Sequence, residues 1–321
     1  MAGPAGVLAE ADVASASPLS VGAKASVLAR LAAAGFAVPP FFVVASAALD
    51  LHLRENGIRW PGRDAGPGPQ TEDLGALRSA IATSPIPDVV AGDVRAAYER
   101  LVAATGSGRV AVRSSGGEED GLAASFAGQF ESFLNVEGPA GVLDAVARCW
   151  ASALSDTSMA YRDARRLPLG GSPSFAVIVQ SQVFAEKAGV LFTVHPLQPE
   201  GPHAYIEANF GTGASVAAGI ATPDAITLTR SGEPVDVRVA TKRRAIVAGA
   251  ATPGTTVVDL DPVRRDAAVL TSAEAASILD MGLRIEALLG GPQDVEWAVD
   301  DRGLWVVQSR PVTRPGPRRP A

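Results

Sequence analysis

The stretch Gln293-Asp294-Val295-Glu296-Trp297-Ala298-Val299, followed after a short turn by Leu304-Trp305-Val306-Val307-Gln308-Ser309-Arg310-Pro311, decides the reading of this chain. Two apolar, alternating runs joined at Asp301-Arg302-Gly303 predict a β-hairpin, with Gly303 supplying the positive φ that closes a three-residue loop. In that register Glu296 lies directly opposite Gln308. Side chains alternate along a strand, so Asp294, Glu296, Gln308 and Arg310 share one face, whereas Trp297, Val299, Trp305 and Val307 share the other. One face is expected to be core and the other a site. A carboxylate beside a neutral amide oxygen is a hard-oxygen environment suited to Mg²⁺, whose remaining ligands are usually waters and substrate phosphates. Arg310, two residues on, could hold a phosphate oxygen. The competing reading is an exposed hairpin face with a stray ion pair.

A second cluster lies upstream. Arg109-Val110-Ala111-Val112-Arg113-Ser114-Ser115 reads as a short strand ending in a basic and two hydroxyl residues, before Gly116, Gly117, three acids and Gly121. Alternation returns over Ala123 to Val136, which contains Ser125-Phe126-Ala127-Gly128-Gln129. A strand, a glycine-containing loop and a second strand make a flap that can lie over a polyphosphate, because glycine lets backbone N–H groups approach closely. Arg113 would add a fixed positive charge. Gly-rich loops beside an arginine are also common as purely structural features.

Further segments join these two in a fixed order: Gly22-Ala23-Lys24-Ala25, Leu31 to Val44 with Gly35-Phe36-Ala37-Val38-Pro39-Pro40 at its centre, Val112-Arg113-Ser114-Ser115, Ser125 to Gln129, Ala188-Gly189-Val190-Leu191-Phe192-Thr193, and Gln308-Ser309-Arg310-Pro311. Together they resemble the ATP-binding domain of the phosphoenolpyruvate synthase and pyruvate phosphate dikinase family, which also includes rifampicin phosphotransferases. The resemblance runs from about residue 18 to about residue 313.

The resemblance implies an α+β chain with an ATP-grasp fold, two lobes clamping ATP and Mg²⁺ between them. It implies a first lobe over 1–187 with the phosphate-binding flap, a second over 188–313 with the metal-binding hairpin, and a flexible tail at 314–321. It further implies that Lys24 and Arg113 contact ATP phosphates, that Gly128 belongs to the flap, and that Ser132 stands where the family usually has threonine. Gln180 would edge the adenine pocket. Glu296 and Gln308 would be the Mg²⁺ ligands, and Arg310 would lie beside the transferred phosphate; Lys24, Arg113 and Arg310 are the catalytic candidates. Departures are Ala23 in place of a second glycine, Gly211-Thr212-Gly213-Ala214 in place of Gly-Leu-Gly-Glu, and Val194-His195-Pro196 where Ala-Asp-Pro is usual. They spare the phosphate and metal positions and point to altered substrate handling.

Family members usually continue into a swivelling domain with a phosphorylatable histidine. None of His52, His195 and His203 lies in the Gly-Gly-rich Ser-His context of that carrier. His195 reads as a loop or site-wall residue. The expected function is therefore ATP- and Mg²⁺-dependent phosphoryl transfer to a histidine on a separately encoded swivelling protein, or directly to a small metabolite. An ATP-grasp ligase working through an acyl phosphate, and a nucleotide-binding protein without turnover, remain alternatives.

Composition narrows the classes. With 321 residues, 47% of them apolar, the chain can bury a large core in two lobes. A net charge of −6 gives no general basic surface for nucleic acid or anionic membrane. Cys149 is the single cysteine, which precludes an internal disulfide framework and fits a cytoplasmic location; beside Trp150 it reads as a core thiol. Met1 to Ser17 lack the basic start and apolar core of a secretion signal. Only Lys24, Lys187 and Lys242 are lysines. Lys242 matches a family lysine near the phosphate side, but in Thr241-Lys242-Arg243-Arg244 it also reads as a solvated turn. Helices are predicted at about 21–34, 73–83, 88–104, 139–154, 156–166 and 272–289, and strands at about 41–44, 109–115, 175–183, 188–194, 204–209, 225–230 and 304–309. The Gly/Pro-rich segment 57–71 reads as a loop.

Overall fold

Phe175-Ala176-Val177-Ile178-Val179-Gln180-Ser181 is apolar on both faces and forms a strand (β7) buried along its whole length. A strand buried on both faces must lie at the centre of a covered sheet. The computed structural model places it there, between β2 (Phe41–Val44) and β3 (Arg109–Gly116), with β1 (Val7–Ala9) and β6 (Ser132–Glu137) at the edges. All pairings in this five-stranded sheet are antiparallel. Residues 6–60, 71–116, 120–121, 124–125, 131–156, 158–160, 174–217, 221–249 and 252–312 are described. Gly128, the expected tail at 314–321, residues 61–70 of the expected loop and the expected helix beyond residue 160 lie outside them.

Two compact units make up the chain, the first comprising Met1–Ala33, Pro39–Gln182 and Thr252–Gly254, the second Ala34–Val38, Val183–Ala251 and Thr255–Ala321. Helices and antiparallel sheets occur in both, which is the α+β class expected. In the first unit, Val110, Val112, Val177 and Val179 turn to one face and pack on α3 (Ser46–Glu55), α5 (Asp88–Thr105) and α6 (Gly138–Ser152) through Leu49, Val94 and Trp150. Cys149 is buried in this cluster, the core thiol expected. His52 is buried too, its Nε2 3.1 Å from the Ile81 carbonyl oxygen and its ring 5.2 Å from that of Trp150.

The helix predicted from 21 to 34 is α2, Pro18–Ala33, but it is interrupted: Gly22 has φ 81 and ψ 159. The break is dictated by a close approach. A β-carbon on Gly22 would stand 2.1 Å from Ser115 Oγ and 2.2 Å from the Ser115 carbonyl oxygen. Just beyond the break the Ala25 amide donates to Ser115 Oγ at 3.2 Å. Gly22→Ala combines left-handed strain with overpacking, so we expect a loss of at least about 2 kcal/mol, read as a lowered urea midpoint. An unchanged midpoint would mean that this turn does not hold to β3.

The second unit is built on a six-stranded antiparallel sheet, β11-β10-β9-β8-β14-β15, comprising β8 (Lys187–Phe192), β9 (His203–Phe210), β10 (Asp224–Thr229), β11 (Pro234–Arg238), β14 (Gln293–Asp300) and β15 (Gly303–Pro311). The long helix Ser272–Leu289, here α9, has the predicted limits because both ends are capped. Thr271 and Glu274 form a reciprocal capping box, and Gly290 closes the far end with φ 83. Its Gly282 lies against the sheet so tightly that a β-carbon would be 2.1 Å from Leu191 Cδ2. Glu274 also pairs with Lys187 at 2.6 Å, tying the helix start to β8. A separate two-stranded ladder joins Arg244–Ala248 and Thr255–Asp259, short strands that alternation did not mark.

Candidate functional site

In the second unit the hairpin sets the site. Glu296 faces Gln308 and Asp294 faces Arg310, as the sequence predicts. The route differs from the expected three-residue loop. Next to the turn the register is one residue shorter, with Asp300 opposite Gly303 and Ala298 opposite Trp305, and a shift between Glu296 and Trp297 restores the predicted pairing beyond it. A tight turn followed by a bulge thus replaces the longer loop. The bulge overturns part of the face assignment. Trp305 and Val307 do not join Trp297; they pack with Ala188 and Ala298 on the opposite side. Trp305 Nε1 donates to Asp300 Oδ1 at 2.8 Å, and Arg302 holds the other carboxylate oxygen from Nη2 at 2.7 Å. Burial works to raise the Asp300 carboxyl, but these hydrogen bonds outweigh it and hold the group below its ordinary range.

On the helix side, Val295, Trp297 and Val306 are buried core. On the other side, Asp294, Glu296, Gln308 and Arg310 form one polar patch. Arg310 is fixed within it: Nε and Nη2 lie 2.8 and 2.6 Å from Asp294 Oδ2. Asp294 is 6% exposed, so this ion pair is shielded from screening and orients the guanidinium before any ligand arrives. Asp294 is the residue whose role the sequence reading left unassigned, although alternation had placed it on the right face. Glu296 and Gln308 offer one anionic and one neutral oxygen donor. Among the described residues no group of three or more His, Cys, Asp or Glu side chains could hold a metal by itself. A hard cation at Glu296 and Gln308 would therefore complete its shell with water and phosphate oxygens, which suits Mg²⁺.

In the first unit the expected phosphate-side residues gather at one end of the sheet. Arg113 on β3 faces Ser132 across the β3–β6 ladder. Ser115, two residues along the same face and so about 7 Å away, carries the Gly22 turn described above. Lys24 in that turn is half-buried. Gln180 lies on the same sheet face as Arg113, because Ala111 faces Gln180 and Arg113 faces Ile178. Its side chain is 1% exposed and donates from Nε2 to the Pro39 carbonyl oxygen at 3.3 Å. Gly128 falls outside the described residues. Lys242 answers to neither sequence reading. It is fully buried, and its Nζ lies 2.5 Å from Asp224 Oδ1 and 2.8 Å from the Ala240 carbonyl oxygen.

Three comparisons with known proteins bear on this arrangement. Residues 19–320 match the family model for the pyruvate phosphate dikinase AMP/ATP-binding domain. A rifampicin phosphotransferase from Streptomyces sp is 39% identical over 244 residues, covering 74% of this chain and 27% of that protein. A probable phosphoenolpyruvate synthase from Methanothermobacter thermautotrophicus is 35% identical over 306 residues, covering 92% of this chain and 44% of that protein. The chain thus spans less than half the length of these relatives. Among solved structures, the D-alanine-D-alanine ligase from Coxiella burnetii aligns with 90% of this chain and 47% of that one at a TM-score of 0.34 and 11% identity, a likeness too slight to argue from.

Proposed function

The chain belongs to the pyruvate phosphate dikinase AMP/ATP-binding domain family, and on that premise we propose that it is an ATP-grasp phosphotransferase that binds ATP with Mg²⁺ and passes a phosphoryl group onward. The observation that carries the proposal is the hairpin patch, where Glu296 faces Gln308 and an adjacent arginine is held in place by Asp294. Phosphoryl transfer needs little covalent chemistry from the protein; it needs positioning and neutralisation of negative charge. Glu296 and Gln308 would hold Mg²⁺, which would supply positive charge to neutralise the phosphates. Arg310, already oriented by Asp294, would stabilise negative charge on the migrating phosphoryl group. Lys24 and Arg113, with Ser132 and the flap glycine Gly128, would hold the remaining phosphates, and Gln180 would border the adenine.

The acceptor would be a histidine of a swivelling domain or a small metabolite. A carboxylate that holds a metal offers lone pairs only, so the role proposed for Glu296 is that of a ligand and not of a proton donor. Isothermal calorimetry tests the reading. The chain should bind ATP only with Mg²⁺ present, and Lys24→Ala and Arg113→Ala should each weaken binding by on the order of 10-fold, as loss of one charge-assisted contact requires. Failure of the intact chain to bind MgATP would overturn it.

A further inference from the structure

The open face of the six-stranded sheet continues past the hairpin. Glu296 faces Val190 on β8, and Val190 faces Glu207 on β9, so the two glutamates stand in one row on one face. With strands about 4.8 Å apart, they are separated by about 10 Å. Beyond Glu207 the sheet and the loop after β8 enclose a cavity of about 420 Å³, whose walls include His195, Tyr205, Thr227, Asp236 and Arg238. Nothing in the phosphate-handling arrangement uses it.

The chemistry of this cavity is that of a cation site. The rings of His195 and Tyr205 lie 4.9 Å apart at 57° and form an aromatic corner. The Tyr205 hydroxyl donates to Glu207 Oε1 at 3.2 Å, which orients the carboxylate without neutralising it. Burial, and then the Glu207 charge, raise the Tyr205 phenol, so it stays a protonated donor. Arg238 sits on Asp236 at 2.8 Å and cancels that charge. His195 Nδ1 accepts from the Leu197 amide at 3.2 Å, which fixes the ring against the loop. The net charge of the walls is therefore that of Glu207, one negative. Phosphates are repelled there, whereas an ammonium or guanidinium gains both a carboxylate and an aromatic face.

We propose that this cavity recognises the phosphoryl acceptor by a planar cationic group, an amidinium or guanidinium, seated between the His195–Tyr205 corner and Glu207. Calling the occupant the acceptor rests on the phosphotransferase reading; the cation preference does not. The row geometry puts such a group within the length of a small molecule from the metal-holding pair. The cation belongs either to a free metabolite or to a basic side chain of a protein acceptor, and both present the same chemistry to Glu207.

Three histidines make the test simple. With ring-¹³C-labelled histidine and the His195 resonance assigned by its absence in His195→Asn, benzamidinium added without ATP should shift that resonance saturably. The resonance of buried His52 should stay in place. Benzoate should give no saturable shift, and Glu207→Gln should weaken benzamidinium binding by at least 10-fold while the circular dichroism spectrum is unchanged. Arg238→Ala, at an exposed edge-strand position that frees Asp236, should tighten it about 3-fold. Comparing agmatine with an arginine-containing pentapeptide assigns the source, and a preference for either supports the proposal. Equal shifts from benzoate, or full affinity in Glu207→Gln, would overturn it. Absence of MgATP binding in the same sample would overturn the phosphotransferase reading instead, because the benzamidinium titration involves no nucleotide.

Discussion

Glu296→Gln is expected to lower Mg²⁺-dependent binding and turnover of ATP by on the order of 100-fold or more, at least the loss that follows removal of a group supporting a metal ligand. The substitution keeps the size and one oxygen of the side chain but removes the only charge in the Glu296–Gln308 pair. A hard dication attracts a carboxylate far more than an amide, so both oxygens would then be neutral. Folding should barely respond. Glu296 is half-buried on the polar side of the sheet, while the packing of β14 depends on Val295 and Trp297 on the other side. The thermal midpoint should stay within about 2 °C. Mn²⁺ titration in the presence of ATP, followed by electron paramagnetic resonance, reads the metal directly. Partial recovery at raised metal concentration would identify a weakened ligand. Wild-type Mn²⁺ affinity in the variant would reduce Glu296 to a solvated strand position and remove the central support for the proposed function.

The sequence carried the face of this hairpin but not its path. Alternation placed Asp294, Glu296, Gln308 and Arg310 together because the β period of two is a property of the backbone and needs no tertiary information. A bulge adds a residue without leaving a compositional mark, so Trp305 and Val307 were assigned to the wrong side although the polar pair was not. The same contrast runs through the fold. The helix Ser272–Leu289 was readable to the residue, since Thr271, Glu274 and Gly290 terminate it by local chemistry. The helix Ser46–Glu55 was missed: Ala45 provides no side-chain cap, and the helix is specified by burial of Leu49 and Leu53 in the core of the first unit. The strand Pro234–Arg238 is exposed along its whole length and had no buried side to create a pattern. The cavity beside Glu207 could not be read at all, because His195, Tyr205 and Asp236 come from three separate segments that only sheet order brings together.

Lys242 shows the opposite failure, a charged residue whose sequence context suggested water or phosphate and whose environment is neither. Lys242→Met is expected to destabilise the second unit by about 3–5 kcal/mol, the cost of breaking a buried ion pair from one side. The pair closes a junction of three segments. Asp224 accepts from Lys242 Nζ and from the Ala240 amide at 2.9 Å through Oδ1, and from the Val269 amide at 2.8 Å through Oδ2. The Lys242 amide in turn donates to the Arg265 carbonyl oxygen at 2.8 Å. With Lys242 at 0% and Asp224 at 2% side-chain exposure, water cannot take over for the missing ammonium. Asp224→Asn should cost a similar amount, since it leaves the ammonium facing an amide. The double variant Lys242→Met with Asp224→Asn should be less destabilised than the two single losses added together, because no uncompensated charge is then buried. Urea unfolding gives all three values. Nucleotide calorimetry below the transition separates this role from a phosphate contact: folded Lys242→Met should bind MgATP within about 2-fold of the parent chain, since an ammonium fully buried against Asp224 and the Ala240 carbonyl is out of a ligand's reach. A variant that kept full stability and lost nucleotide binding would return Lys242 to the phosphate side.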